Sequence, residues 1–99
     1  MEELTKLWHY LTSHHFKCHW VYQETLGFPI RNQIIVFSEE DDGTNTRLWD
    51  AICHHGSQGY EQGLLEIYGE IVHPMIDGDS VVGFLTADEI INKYIPRLQ

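Results

Sequence analysis

Basic residues are scarce: 6 Lys and Arg stand against 15 Asp and Glu, a formal net charge of -9. So acidic a surface repels a phosphate backbone, which argues against direct nucleic-acid binding. Cysteine is scarcer still. Cys18 and Cys53 are the two present, too few for a disulfide framework. One bridge between them stays open, but free buried thiols in a reducing cytoplasm are the simpler reading. No run approaches the roughly 20 apolar residues that a membrane span needs. The opening MEELTKLWHY is acidic where a secretory signal is basic, so a cytoplasmic protein with no membrane contact is expected. Internal repeats, low-complexity tracts and an evident linker are missing too, which predicts one domain over residues 1–99.

Catalytic signatures are absent in the same way. Gly56-Ser57-Gln58-Gly59 is not a Gly-x-Ser-x-Gly elbow. There is no Gly-x-x-x-x-Gly-Lys loop, no Gly-x-Gly-x-x-Gly and no His-Glu-x-x-His. Asp77-Gly78-Asp79 lacks the ligand ladder and terminal Glu of a calcium loop. Cys53 beside His54 and His55 has the parts of a nucleophile, yet a thiolate wants a positive environment and this half of the chain is acidic. The expectation is a non-enzymatic protein without a cofactor.

What is present is enough apolar material for a core: 42% of the chain is hydrophobic and 12% aromatic. Leu4, Leu7, Trp8 and Leu11 recur at i, i+3, i+4 and i+7, predicting an amphipathic helix over residues 2–15. Residues 14–25 are ambiguous, because His15, Cys18 and Tyr22 continue the helical period while Phe16, Cys18, Trp20 and Tyr22 alternate like a strand. Ile30 to Ser38 reads as a strand, Thr46 to His54 as its hairpin partner, and Leu64 to Val72 as a half-buried strand with Gly69 at a bulge or close approach. Val81 to Leu85 is a short strand. Thr86-Ala87-Asp88-Glu89 is a capping box for a helix whose buried stripe is Ile90, Ile91, Tyr94 and Ile95, stopped near Pro96. The predicted fold is a small α+β domain, a mostly antiparallel sheet of three to five strands with a helix at each end of the sequence.

The charge is uneven. Residues 1–38 carry three acids against three bases, so the net charge of -9 resides in residues 39–99. Glu39, Glu40, Asp41 and Asp42 form one acidic loop, and Asp77 and Asp79 lie in another. An acidic surface serves solubility, and it equally fits a basic protein partner met by steering and pairing. Tyr60 and Tyr68 are aromatic anchors for such a contact, although sheet-face packing explains Tyr68 more readily. A metal site is the rival: His14 with Cys18, or His15 with His19, would share a helix face, and Cys53 and His55 could complete a Cys2His2 zinc set. The spacing of a zinc knuckle is lacking, and Cys53, His54 and His55 alternate in direction on a strand. In Cys53-His54-His55-Gly56-Ser57-Gln58-Gly59-Tyr60-Glu61-Gln62-Gly63, the glycines read as a structural corner between two strands. Tyr60 and Glu61 on that corner are candidate partner-binding residues. An open strand edge would also suit a homodimer.

The segments WDAICHHGSQGYEQGLLEIYG (49–69) and GDSVVGFLTADEI (78–90) resemble a group of small uncharacterised proteins carried by phages and prophages of Gram-positive bacteria. The matching residues are Trp49-Asp50, Gly56-Ser57, Gly59-Tyr60, Gly63 to Glu66, Gly83 and Leu85-Thr86-Ala87. The resemblance brings no catalytic residues. It implies an accessory protein in the host cytoplasm that binds and modulates a host protein, such as a defence factor or another nucleic-acid-binding protein, with nucleic-acid mimicry among the uses of the acidic surface. The alternative is a zinc-binding module or small metal-dependent enzyme built on the Cys and His residues.

Overall fold

In the computed structural model, which describes residues 2–38, 47–72 and 81–98, the leucine period at the N-terminus forms helix α1, Glu2–Ser13. Leu4, Leu7 and Leu11 are fully buried. Glu2 and Glu3 occupy the first turn, where carboxylates favour the partial positive charge of the helix N-terminus. The helix ends at Ser13, short of the expected residue 15, because the chain turns over: His15 adopts a left-handed φ of 63° and the Phe16 N–H donates to the Leu11 carbonyl at 2.9 Å. The alternating period then prevails, and Cys18–Thr25 is strand β1. His14 and Cys18, or His15 and His19, are therefore not neighbours on a helix.

Strands β2 (Phe28–Phe37), β3 (Arg47–Ile52), β4 (Leu65–Gly69) and β5 (Val81–Leu85) follow. Each pairs antiparallel with its predecessor, giving a sheet in the order β1-β2-β3-β4-β5. The expected β2–β3 hairpin is present, with Ile34 opposite Ala51 and Val36 opposite Trp49. β4 is shorter than its alternation suggested. At Gly69 φ is 113°, and a Cβ there would stand 2.6 Å from the Leu48 carbonyl oxygen, so the glycine marks a close approach of two backbones. A 3-10 turn, Glu70–Val72, continues from it and still buries Ile71 and Val72.

The core lies on one face of the sheet. Ile34, Val36, Trp49, Ala51, Leu65, Ile67 and Leu85 meet the three leucines of α1 and Ala87, Ile90, Tyr94 and Ile95 of the C-terminal segment. Truncating any of the fully buried leucines to Ala would cost about 2–5 kcal/mol, through lost burial plus the cavity left behind. The C-terminal segment starts with the predicted capping box: the Glu89 N–H donates to Thr86 Oγ1 at 3.1 Å and the Thr86 N–H to Glu89 Oε1 at 3.0 Å. A third partner comes from the far end of the chain, where Glu3 Oε1 accepts from the Ala87 N–H at 2.7 Å. One α-turn, Ala87–Glu89 (α2), widens into a π-helical stretch, Ile90–Tyr94, and tightens into a 3-10 turn, Ile95–Leu98. Pro96 accounts for the irregularity, since it has no N–H for the Asn92 carbonyl and its ring crowds that carbonyl. The helical path passes through Pro96 rather than stopping before it.

Candidate functional site

The β1–β2 turn and the β3–β4 connection emerge at the same end of the sheet, because Thr25 pairs with Phe28 while β3 ends at Ile52 and β4 begins at Leu65. The connection is a corner held by its own polar groups. The Ser57 hydroxyl accepts from the His54 N–H at 3.0 Å and donates to the His54 carbonyl at 2.8 Å. The His55 N–H reaches across to the Pro29 carbonyl at 2.8 Å, and the Leu64 N–H closes back on the Gly59 carbonyl at 2.8 Å. Gly56, Gly59 and Gly63 all have positive φ, as the corner reading expected. Gly59 has a second constraint: a Cβ there would lie 2.9 Å from Leu64 Cβ and 3.1 Å from Phe84 Cα.

The corner also packs against β5. A Cβ on Gly83 would collide with the Gln58 side chain, the Gln58 N–H donates to Glu66 Oε1 at 2.9 Å, and the Phe84 N–H approaches the Gln58 carbonyl at 3.4 Å. Gly59, Glu66 and Gly83 thus fit the β3–β4 connection against β5, and their structural use is explained without a ligand.

What that packing exposes is a row of apolar side chains. Phe28 and His55 stand with ring centroids 5.8 Å apart, and His55 meets Tyr60 edge-on at 6.2 Å and 83°. Phe84 joins His55, Tyr60 and Glu61 in lining an open recess of about 390 Å³. Leu26 at the tip is 91% exposed, Phe28 55% and Phe84 56%. Leu26 and Phe84 both hold left-handed backbone, with φ of 52° and 58°, a conformation that costs an L-residue with a Cβ about 1–2 kcal/mol. Bulky, strained and solvated together is an unusual combination for a residue, and it occurs here on both edges of the sheet; backbone strain of this kind concentrates at working surfaces.

The other predicted residues fall differently. Tyr60 is half-buried and Glu61 exposed, both on a one-turn 3-10 helix, Tyr60–Gln62. Glu39, Glu40, Asp41, Asp42, Asp77 and Asp79 lie outside the described residues. The strand ends flanking their two connections, Phe37 with Arg47 and Gly69 with Val81, are at the opposite end of the sheet from Tyr60. Tyr68, expected to pack, stands 55% exposed on the face of the sheet away from α1 and the C-terminal helical segment. At the centre of that face Asp50 accepts from Gln33 Nε2 at 2.7 Å, and Gln33 Oε1 accepts from Arg31 Nε at 3.0 Å. Burial pushes the Asp50 carboxyl above its ordinary value, against the opposing Gln33 hydrogen bond and the Arg47 charge.

The metal candidates are dispersed. His14 stacks on Tyr10 at 4.0 Å and its Nδ1 is 2.9 Å from the Tyr10 carbonyl oxygen. Cys18 is on β1, Cys53 is buried in the core, and His55 belongs to the aromatic row. Among the described residues no three His, Cys, Asp or Glu side chains come together to hold an ion. Both cysteines are free thiols, and burial raises both above the ordinary thiol value, which lowers the thiolate fraction that a nucleophile or zinc ligand needs. No helix among the described residues is long and apolar enough to cross a membrane. No protein-family model, curated protein or solved structure matches the chain.

Proposed function

We propose that the protein acts by binding another protein, without chemistry of its own, through the apolar end of the sheet formed by Leu26, Phe28, His55, Tyr60 and Phe84. The observation that supports this most is the pairing of exposure with left-handed backbone at Leu26 and Phe84. A folded chain tolerates such strain where the displayed side chain has a use. Glu61 at the rim, and the acidic excess of residues 39–99, suit a partner that presents apolar side chains flanked by Lys or Arg. The resemblance to phage and prophage proteins makes that partner a basic host protein in the cytoplasm of a Gram-positive bacterium, such as a nuclease or other defence factor that the protein inhibits.

The test is a paired capture. Wild-type protein and Phe28→Ser are used as baits against lysate of a Gram-positive host, at low and at high salt. The proposal expects a protein retained by wild type, depleted on Phe28→Ser, and released progressively as salt rises. A captured protein that holds equally to both baits, or ignores salt, contradicts the assignment.

A further inference from the structure

We propose that β1 is a pairing edge for a second copy of this chain. Two protomers join antiparallel, β1 to β1, about a two-fold axis through Val21, and their five-stranded sheets become one continuous sheet.

The two edges of the sheet are unlike. β5 has five residues, and Phe84 breaks its extended course with a φ of 58° while turning its N–H toward Gln58. Such a kink blunts an edge. β1 has eight residues, Cys18–Thr25, and its pairing with β2 is regular until a bulge between Gln23 and Glu24. It contains no Pro, Lys or Arg, the residues with which sheet proteins usually protect an edge. Among the described residues no backbone group or side chain outside the β1–β2 ladder bonds to the Cys18–Gln23 backbone. Alternate N–H and C=O groups along it therefore face outward without a protein partner.

Charge selects a second copy as the occupant. Residues 1–38 sum to zero, and the strand itself carries only Glu24. Among the described residues, the acids on the strands beyond β2 are Asp50 on β3 and Glu66 on β4. With strands spaced about 4.8 Å apart, β3 lies roughly 10 Å from the edge. The Asp50 and Glu66 carboxylates of one protomer joined at β1 are then at least about 20 Å from those of the other, more than two Debye lengths at physiological ionic strength. Joining at β5 would instead bring Glu66, one strand from that edge, to roughly 15 Å from its counterpart.

The register is self-complementary as well. In an antiparallel pair centred on Val21, Trp20 faces Tyr22 of the other copy and Tyr22 faces its Trp20, while His19 faces Gln23. Tyr22 is 50% exposed in the single chain, and Trp20 is already supported by Trp8 at 5.6 Å between centroids. Directly opposed aromatic pairs are among the stronger cross-strand contacts. The antiparallel two-fold also sends the two Phe28 ends in opposite directions, leaving each free for its own partner.

Sedimentation equilibrium of the full chain tests this directly. Wild type is expected to approach twice its 11.6 kDa mass at high micromolar concentration, with little salt dependence. Val21→Lys, which sets two like charges across the axis, is expected to raise the dissociation constant at least about tenfold while far-UV circular dichroism and melting stay those of the folded chain. If Val21→Lys is misfolded, Val21→Cys in a Cys18→Ser background is the second arm, and mild oxidation should cross-link it into a covalent dimer. A wild-type monomer at millimolar concentration overturns the proposal. So does a dimer unaffected by folded Val21→Lys, or a Val21→Cys chain that stays monomeric on oxidation.

Discussion

Leu26→Asn separates a displayed residue from a structural one by the sign of its two effects. Leu26 and Gly27 have φ of 52° and 80°, so the β1–β2 turn needs two left-handed residues in succession, a geometry for which Asn-Gly is the preferred pair. Leu pays the Cβ penalty of about 1–2 kcal/mol there, and Asn much less of it. Because Leu26 is 91% exposed, its removal forfeits almost no burial within the fold. The variant should therefore gain about 1 kcal/mol in urea denaturation with an unchanged slope, which in a chain of this size raises Tm by about 4–8 °C. Binding should move the other way. Burying a Leu side chain at an interface is worth about 1.5–3 kcal/mol, so the captured partner should bind Leu26→Asn roughly 10- to 100-fold more weakly. A variant that is more stable and binds as well as wild type would refute the use of Leu26. A variant that is less stable would refute the strain reasoning.

Three further outcomes follow from other parts of the molecule. Gly59→Ala should destabilise the fold by at least about 2 kcal/mol in denaturant titration, because positive φ and the collisions with Leu64 and Phe84 add together. Asp50→Asn should be more stable than wild type at neutral pH. The folded chain favours the protonated carboxyl of Asp50, so wild type loses stability as pH rises through the elevated folded value, and the difference between the two proteins should close below the ordinary value of 3.8. Glu3→Gln should cost about 1 kcal/mol by thermal melting, since a charged acceptor for the Ala87 N–H becomes neutral at the start of the C-terminal helical segment.

The elements that local chemistry alone decides were legible in the sequence. The Leu4, Leu7, Trp8 and Leu11 period and the Thr86–Glu89 box each carry their own hydrogen bonds or buried stripe, and the glycines of the 53–65 corner mark positive φ directly. What escaped depended on partners distant in the chain. The change from helix to strand between Ser13 and Cys18 is decided by β1 pairing with β2, which no period within residues 14–25 contains. The helical path continues through Pro96 because Ile90, Tyr94 and Ile95 pack on one core, while Pro96 itself forces the widened turn before it. The corner glycines point to Tyr60 and Glu61, whereas Leu26, Phe28 and Phe84 carry no comparable mark. Leu-Gly is not a usual turn pair, and Phe84 reads as an ordinary strand residue until its neighbour Gly83 is seen beneath Gln58. A bulky residue in a position that asks for Asn or Gly was the one available signal.

Hydrogen–deuterium exchange of the protein with and without its captured partner tests the central claim most directly. The account predicts added protection at residues 26–28, 55–62 and 84, with the face around Asp50 and Tyr68 unchanged. Protection concentrated on Asp50 and Tyr68, with residues 26–28 and 84 exchanging as in the free protein, would contradict it.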